Sequence, residues 1–427
     1  MKGAIAVDLG ASSARFAAGW LEDGELRYEI IEQVPHQTRT ENGRIVWDFE
    51  ALFAFVKRAA EYGSTRFGRA TLGIDAWGVD HGFLDRNGNL IQTPVCYRDP
   101  SHEVAFESLA PHRDELYRLT GIQHQPFNTI CQLIVRRNEN PNLVHDTHRW
   151  LLLPDLIGYL LTGQANYELS EASTTQLMGL DNQWSEEAFA LTGWPMPDLQ
   201  PSLAGHIGGY IADGVRLMSV GSHDTASAVL GLEPLADTSV FLNIGTWSLM
   251  GTVIDQPIVT DAARSGNFTN ERTVDGKVRF LKNVPGFWVV NRLHAELKVP
   301  VSVPDWIASA NLTTTERIDL NAPELFNPES MLEACITLIG KKPENDETWA
   351  GIALLSLVEG IAEHIPALAE CTNREFRSLR LGGGPSRSEV FREQLQSRAG
   401  LIIELGPSEA TIVGNLRFQL DSTQNSR

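Results

Sequence analysis

Five short stretches bring together residue types that could manage a phosphate chain and a hydroxyl group. Asp8 stands just before Gly10, Ser12 and Ser13. A turn of small residues leaves backbone N–H groups free to converge on phosphate oxygens, and a carboxylate at the preceding strand end can hold Mg2+ through water. The same residues also suit a plain hairpin in which Asp and Ser satisfy the turn backbone. A second small-residue turn, Asn243-Ile244-Gly245-Thr246-Trp247-Ser248, could take the other end of the same phosphate chain, or be one more turn in a meander. Gly340-Lys341-Lys342 supplies no P-loop, because both the glycine before it and the Ser/Thr after it are missing.

Gly221-Ser222-His223-Asp224-Thr225 follows the apolar end Leu217 to Val220 and precedes a helix of small residues. Asp224 at that junction is a candidate general base, since an ionised carboxylate can accept a hydroxyl proton as the hydroxyl attacks phosphorus. Ser222 or Asp224 could instead simply cap the helix. His223 reads as a polar substrate contact or a packed imidazole. In Asp75-Ala76-Trp77-Gly78-Val79-Asp80, Trp77 offers an apolar ring face and Gly78 an approachable backbone, a pairing that suits a sugar and equally a core tryptophan beside a bulge. Gly382-Gly383-Gly384 could let an adenosine lie against bare backbone, or be a flexible connection.

The elements around these stretches read as an α/β chain. Ala4 to Val7, Arg15 to Ala18 and Tyr28 to Val34 are three strands of an antiparallel meander, the last two joined at Asp23-Gly24. A helix is expected over about 49–62, then strands over 69–74 and 79–84. Residues 101–200 have helical periodicity with proline punctuation and read as a helical insertion. The strand, glycine turn, strand design returns at 239–253, so the second half begins as the first does, with a hinge at about 233–238. A long helix is expected over 348–370. A strand at 378–381, the triple glycine, a helix over 386–398, a strand at 401–404 and a final helix from about Ser408 follow.

Length and composition narrow the function. A chain of 427 residues with 42% hydrophobic and 21% charged residues folds around a core and divides into more than one domain. With 35 Lys+Arg against 54 Asp+Glu the net charge is -19, which argues against a nucleic-acid partner or an anionic membrane surface. No uninterrupted apolar run is long enough to span a bilayer, and the N-terminus lacks a signal-peptide core, so a cytoplasmic protein is expected. Cys96, Cys131, Cys335 and Cys371 are scattered and read as reduced thiols, and the histidines match no metal spacing.

Taken in order, VDLGASSARF, GIDAWGVD, YRDP, TGIQHQPFNTICQL, LLLPDLIGYLLTG, ASTTQLMGL, SHDTASAV, IGTWSLMG, NFTNE, LKNVPGFW, LGGGPSR and EATIVGN resemble the FGGY carbohydrate kinases and, within them, the rhamnulokinase branch. The resemblance covers most of the chain from residue 4 to about 420. It implies two ribonuclease-H-like α/β lobes, 1–235 and 236–427, around an ATP/sugar cleft. It further implies ATP-dependent phosphorylation of the C1 hydroxyl of L-rhamnulose, with Mg2+, by a monomer or homodimer. Position by position, Asp224 is similar to the family's base and Asp8 to its Mg2+-associated aspartate. Ala11, Ser12, Ser13, Ala14 and Arg15 match its first phosphate segment, Gly245 and Thr246 its second, Gly383 its adenine-side loop and Asn291 a nucleotide-facing position. Gly78, His223, Asp224, Thr225 and Asn283 match sugar contacts, with Trp77 beside them.

Three departures bear on this. Ala14 stands where the branch commonly has Gly, which would crowd the phosphate hairpin. His81 replaces an apolar residue beside the sugar loop, which leaves the preferred ketose open. The chain stops soon after Gly414-Asn415, where relatives continue, so some packing over the nucleotide lobe is expected to be missing or supplied by a partner chain. L-fuculose, L-xylulose and L-ribulose remain rival substrates, and an ATP-binding sensor on an actin-like fold is a rival of another class.

Overall fold

The computed structural model describes residues 3–11, 13–245, 248–325 and 328–425. The chain forms two compact units, one of Met1–Gly231, Ile254–Phe280 and Thr411–Arg427, the other of Leu232–Val253 and Leu281–Ala410.

The N-terminal unit contains β1 (Gly3–Leu9), β2 (Ser13–Glu22), β3 (Glu25–Pro35), β4 (Thr38–Glu41), β5 (Arg44–Trp47), β6 (Ala70–Ala76), β7 (His81–Leu84), β8 (Arg149–Leu152), β9 (Ile207–Ala212) and β10 (Val215–Met218). Six of these make a sheet in the order β3-β2-β1-β6-β10-β9. Asp23 and Gly24, at φ 52° and 83°, turn β2 into β3 as a two-residue hairpin requires. Strand β1 is buried along its whole length, and its alternation sorts the two faces. Ile5, Val7 and Leu9 join Leu52, Phe55, Val56 and Ala59 of the helix Phe49–Phe67 in the main core. That helix is capped by Asp48, whose side chain accepts from the Ala51 amide. On the other face Ala4, Ala6 and Ala17 leave room for Ile412, Leu416 and Leu420 of the helix Ala410–Asn425. A Cβ on Gly19 would lie 2.8 Å from Leu416, so this approach is closed to larger residues.

Strand β7 departs from expectation. It begins at His81 and pairs with β8 in a separate two-stranded ribbon instead of joining the sheet. The reason is local, because Val79 at φ 74° turns the chain and Asp80 is then held inward by four donors. Trp47 Nε1 at 2.6 Å, Trp77 Nε1 at 2.8 Å and the Tyr97 amide at 3.2 Å donate to its Oδ2, and Gln132 Nε2 at 3.0 Å donates to Oδ1.

His81 is enclosed in the same region, its ring 5.0 Å from Phe83 and 5.5 Å from Trp150. Burial pushes its pKa down to about 3. An unfolded imidazole titrates near ~6.5, so between those values only the unfolded chain takes up the proton, and this residue makes stability rise with pH across that window. His81→Phe should therefore flatten the loss of melting temperature on going from neutral pH to about pH 5. An equal loss in variant and parent would acquit His81 as the acid-sensitive group.

The C-terminal unit repeats the opening design. Here β11 (Ser239–Ile244) and β12 (Ser248–Ile254) are antiparallel. Of the next two strands, β13 (Thr269–Arg272) and the start of β14 (Val278–Val284), as far as Phe280, group with the N-terminal unit, and the rest of β14 groups with the C-terminal one. β15 (Ser378–Gly382) runs parallel to β11, as β6 does to β1, and β16 (Ile402–Leu405) runs parallel to β15. The expected long helix is two, Asp346–Ala362 and Ile365–Thr372, because Pro366 in the first turn of the second cannot continue the first. The stretch Asp346–Thr372 is long and apolar enough to cross a membrane, but most of it is buried inside the protein, as in a core helix. All four cysteines are free.

Candidate active site

In the N-terminal unit, strand register assembles the first half of the site. Asp8 sits opposite Arg15 on β2 and opposite Asp75 on β6. Arg15 closes on it, Nη2 at 2.6 Å and Nε at 2.7 Å from Oδ2. Asp75 is fully buried, and burial together with the neighbouring Asp8 charge raises its pKa well above the ordinary range. The Asn415 side-chain amide donates to Asp75 Oδ2 at 2.5 Å, while Oδ1 has no hydrogen-bond partner. Between β1 and β2 the Gly10 amide donates to the Ser13 carbonyl at 3.0 Å, and Arg98 Nη2 donates to the Ala11 carbonyl at 3.2 Å. Ala14 is buried within β2, paired with Leu9 and Val34. Ser12 and Thr246 lie outside the described residues.

The chain after β6 continues the register, the Ala76 amide donating to the Ser222 carbonyl at 2.8 Å and Ala76 bridging His223. This brings Trp77 and Gly78 into the same unit as His223 and Asp224. Trp77 does not present an open ring. It is only 5% exposed and packs against Trp47 with ring centroids 4.1 Å apart and planes tilted by 34°, so it supports the loop from inside, while Gly78 reaches the surface in part. A Cβ on Gly78 would meet the Thr174 side chain at 2.9 Å.

Asp224 opens the helix Asp224–Leu232. The turn before it is tied to a buried acid, Glu168, whose Oε2 accepts from the Ser222 amide at 3.0 Å and from the Ser170 amide at 3.0 Å. Ser170 Oγ in turn accepts from the His223 amide at 3.2 Å. His223 Nε2 lies 3.5 Å from Asp224 Oδ1, and its Nδ1 lies 3.2 Å from Glu271 Oε2. Thr225 and the fully buried Arg279 complete the cluster. Burial pushes the Asp224 carboxyl up to about 6, with the Asp8 charge adding to it and the Thr225 amide and the Arg279 charge opposing. Asp224 nevertheless keeps 24% of its side chain exposed, whereas that of Asp8 keeps 4% and Asp75, Asp80, Glu168 and Glu171 are enclosed.

In the C-terminal unit three of the four described candidates converge. Gly383 packs on Ile244, the residue before Gly245, and a Cβ at Gly383 would fall 2.0 Å from the Ile244 carbonyl oxygen. The Gly245 carbonyl accepts from the Phe287 amide at 2.8 Å, and the Phe287 carbonyl accepts from the Asn291 amide at 2.8 Å, so Asn291 stands one turn into the helix that starts beside Gly245. Asn291 is exposed, as a ligand contact must be. Asn283 is exposed on β14, four residues before Phe287.

Glu168, Glu271 and Arg279 were not legible as site residues. Each acts over long sequence separations, and the one local signal is a charged residue, Arg279, in an otherwise apolar run Val278-Arg279-Phe280-Leu281.

Residues 4–231 match the FGGY family of carbohydrate kinases, N-terminal domain, and residues 240–420 match the C-terminal domain of the same family. A rhamnulokinase of Bacillus subtilis (strain 168) is 31% identical over 435 residues, covering 97% of this chain and 89% of that protein. One from Yersinia pestis (strain Pestoides F) is 33% identical over 435 residues, covering 98% and 90%. Among solved structures, a ligand-bound xylulose kinase from Lactobacillus acidophilus superposes with TM-score 0.82 at 15% identity, over 100% of this chain and 90% of that one. Plasmodium falciparum glycerol kinase with ADP gives 0.80 at 13% identity, also over 100% and 90%.

Proposed function

This chain belongs to the FGGY family of carbohydrate kinases and so phosphorylates a sugar with ATP, and from that membership we propose that it transfers the γ-phosphoryl group to the C1 hydroxyl of L-rhamnulose, with Asp224 as general base. The observation that carries the role of Asp224 is its partial exposure beside carboxylates that are closed off or already paired. A base must reach the proton that it takes. As the C1 oxygen attacks phosphorus in line, its proton passes to Asp224, whose negative charge grows more useful the looser the transition state.

Gly78, His223, Thr225 and Asn283 take the sugar, with Trp77 bracing the loop. Ala11 through Arg15, Gly245, Thr246, Asn291 and Gly383 take the nucleotide. The choice of L-rhamnulose rests on relatives of that activity's name matching almost the whole chain and on the ordered motifs described above. Mg2+ carried with ATP would be held by Asp8 through water, and it would neutralise phosphate charge. Its fit is supported by the two carboxyl groups that β1 and β6 set opposite one another, Asp8 and Asp75, with Asp75 Oδ1 lacking a hydrogen-bond partner.

A panel of L-rhamnulose, L-fuculose, L-xylulose and L-ribulose, scored by ADP formed with MgATP, tests the substrate. L-Rhamnulose is expected to give the highest kcat/KM, and failure with L-rhamnulose alongside turnover of another ketose overturns that part. The pH profile tests the base. Since Asp224 works only when ionised and titrates at about 6, kcat/KM for the sugar should fall with unit slope as pH drops below that value. A profile flat to about pH 5 would exclude a base of that character.

A further inference from the structure

Arg279 makes no contact with solvent, and each of its nitrogens is committed. Nε donates to the Arg272 carbonyl at 2.8 Å, Nη1 donates to Thr225 Oγ1, and Nη2 donates to His223 Nδ1 at 3.1 Å. Nη2 also lies 3.2 Å from Glu271 Oε2. A guanidinium offers donors only, and it stays protonated. A ring nitrogen that receives such a donor must present its lone pair.

We infer that Arg279 is a positioning residue that fixes neutral His223 as its Nε2–H tautomer, and so turns an N–H toward Asp224 Oδ1. The competing possibility is Nδ1–H donating to Glu271 Oε2, 3.2 Å away, or to Thr225 Oγ1, 3.1 Å away. Either arrangement would press two N–H groups together between Nδ1 and Arg279 Nη2. In the structure Glu271 Oε2 has no partner of hydrogen-bond geometry, while Nη2 and Nδ1 do form a bond. Glu271 instead balances the charge of Arg279. An imidazolium is excluded on the same ground, since it too would place Nδ1–H against the guanidinium.

The chemical consequence follows from Asp224. At 3.5 Å the Nε2–H is a polar neighbour of Oδ1 and not a hydrogen-bond donor to it, so it favours the carboxylate rotation that keeps Oδ1 beside the imidazole and leaves Oδ2 to take the sugar's hydroxyl proton. Orientation of an acid–base group by a third, buried residue is the logic of hydrolytic triads, in which the wrong tautomer is costly. This consequence rests on the proposed role of Asp224, but the tautomer itself does not.

The test begins with the intact protein labelled with [15N]histidine, without substrate, at about pH 7.5, with His223→Gln supplying the assignment. Long-range 1H–15N correlations should show Nδ1 of His223 as the unprotonated nitrogen and Nε2 as the protonated one. The reverse pattern, or an imidazolium, overturns the inference, and this measurement needs no variant of Arg279 to fold. The double variant Arg279→Met with Glu271→Gln keeps the buried charge balanced. It should lose the single tautomer and lower kcat on the order of 10- to 100-fold, with KM for ATP within about twofold of the parent. Arg279→Lys, which keeps a donor and the charge, should recover part of that kcat. A folded double variant with parental kcat would remove the positioning role. If the tautomer is as inferred but Asp224→Asn turns over normally, the assignment of the base fails and not the tautomer.

Discussion

Asp224→Asn is expected to lose ~10²–10⁴-fold in kcat, roughly 3–5 kcal/mol of transition-state stabilisation, while binding ATP and melting much as the parent does. The amide has the shape of the carboxylate and still offers an oxygen to His223 Nε2, and Asn is as good as Asp at a helix start, so the local structure has little reason to move. What disappears is the ability to take a proton. Because Asp224 is a quarter exposed, it is not a buried structural acid whose neutralisation would alter the core. ADP release with saturating sugar measures the loss, and ATP binding with thermal melting supplies the controls. Turnover within tenfold of the parent, in a protein that binds ATP normally, would take Asp224 out of the mechanism.

Gly383→Ala should be the most damaging change in the C-terminal unit, and Gly384→Ala beside it should be close to silent. Gly383 lies at φ 93° and ψ 162°, a region open essentially to glycine alone, and its Cβ would fall 2.0 Å from a backbone oxygen in β11 that cannot swing aside. The two costs together come to roughly 3 kcal/mol or more, a fall in melting temperature on the order of 6–12 °C for a unit of this size. Any fold that survives must move the loop away from Ile244 and so from Gly245, and KM for ATP should rise on the order of tenfold or more. A Cβ on Gly384 meets nothing within 4 Å. Parallel melts and ATP titrations of the two variants decide the matter, and similar behaviour in both would mean that the Gly383–Ile244 contact does not shape the nucleotide loop.

These two residues mark what could be read from the chain. Asp224 and Gly383 stood out because a junction between a strand and a helix, or a run of glycines, is a local signal. The hairpins of β1–β2 and β2–β3 were legible for the same reason, since apolar runs are interrupted by residues that tolerate positive φ. The β4–β5 hairpin was not read, although Asn42-Gly43 at φ 51° and 77° is a strong turn signal, because its flanks are short and mostly polar. The course of β7 depends on a positive φ at Val79, which a β-branched residue gives no reason to expect. Trp77 showed the limit of composition. An aromatic beside a glycine fits a sugar platform, yet Trp47 from far upstream and Asp80 three residues on turn that ring inward. Glu168, Glu271 and Arg279 act only through partners brought close by folding, so nothing in their neighbours announces them.

The helix Ala410–Asn425 reaches back to the first strand. Gln419 Nε2 donates to the Ile5 carbonyl at 3.0 Å and to Asn415 Oδ1 at 2.6 Å, and Asn415 in turn holds Asp75. A ribosome therefore delivers the cover for β1 some four hundred residues after β1 itself, and until then the small-residue face of that strand waits unprotected. A nascent N-terminal unit is an unfinished object at every earlier moment of synthesis, and a fragment cut at Gly231 would remain one.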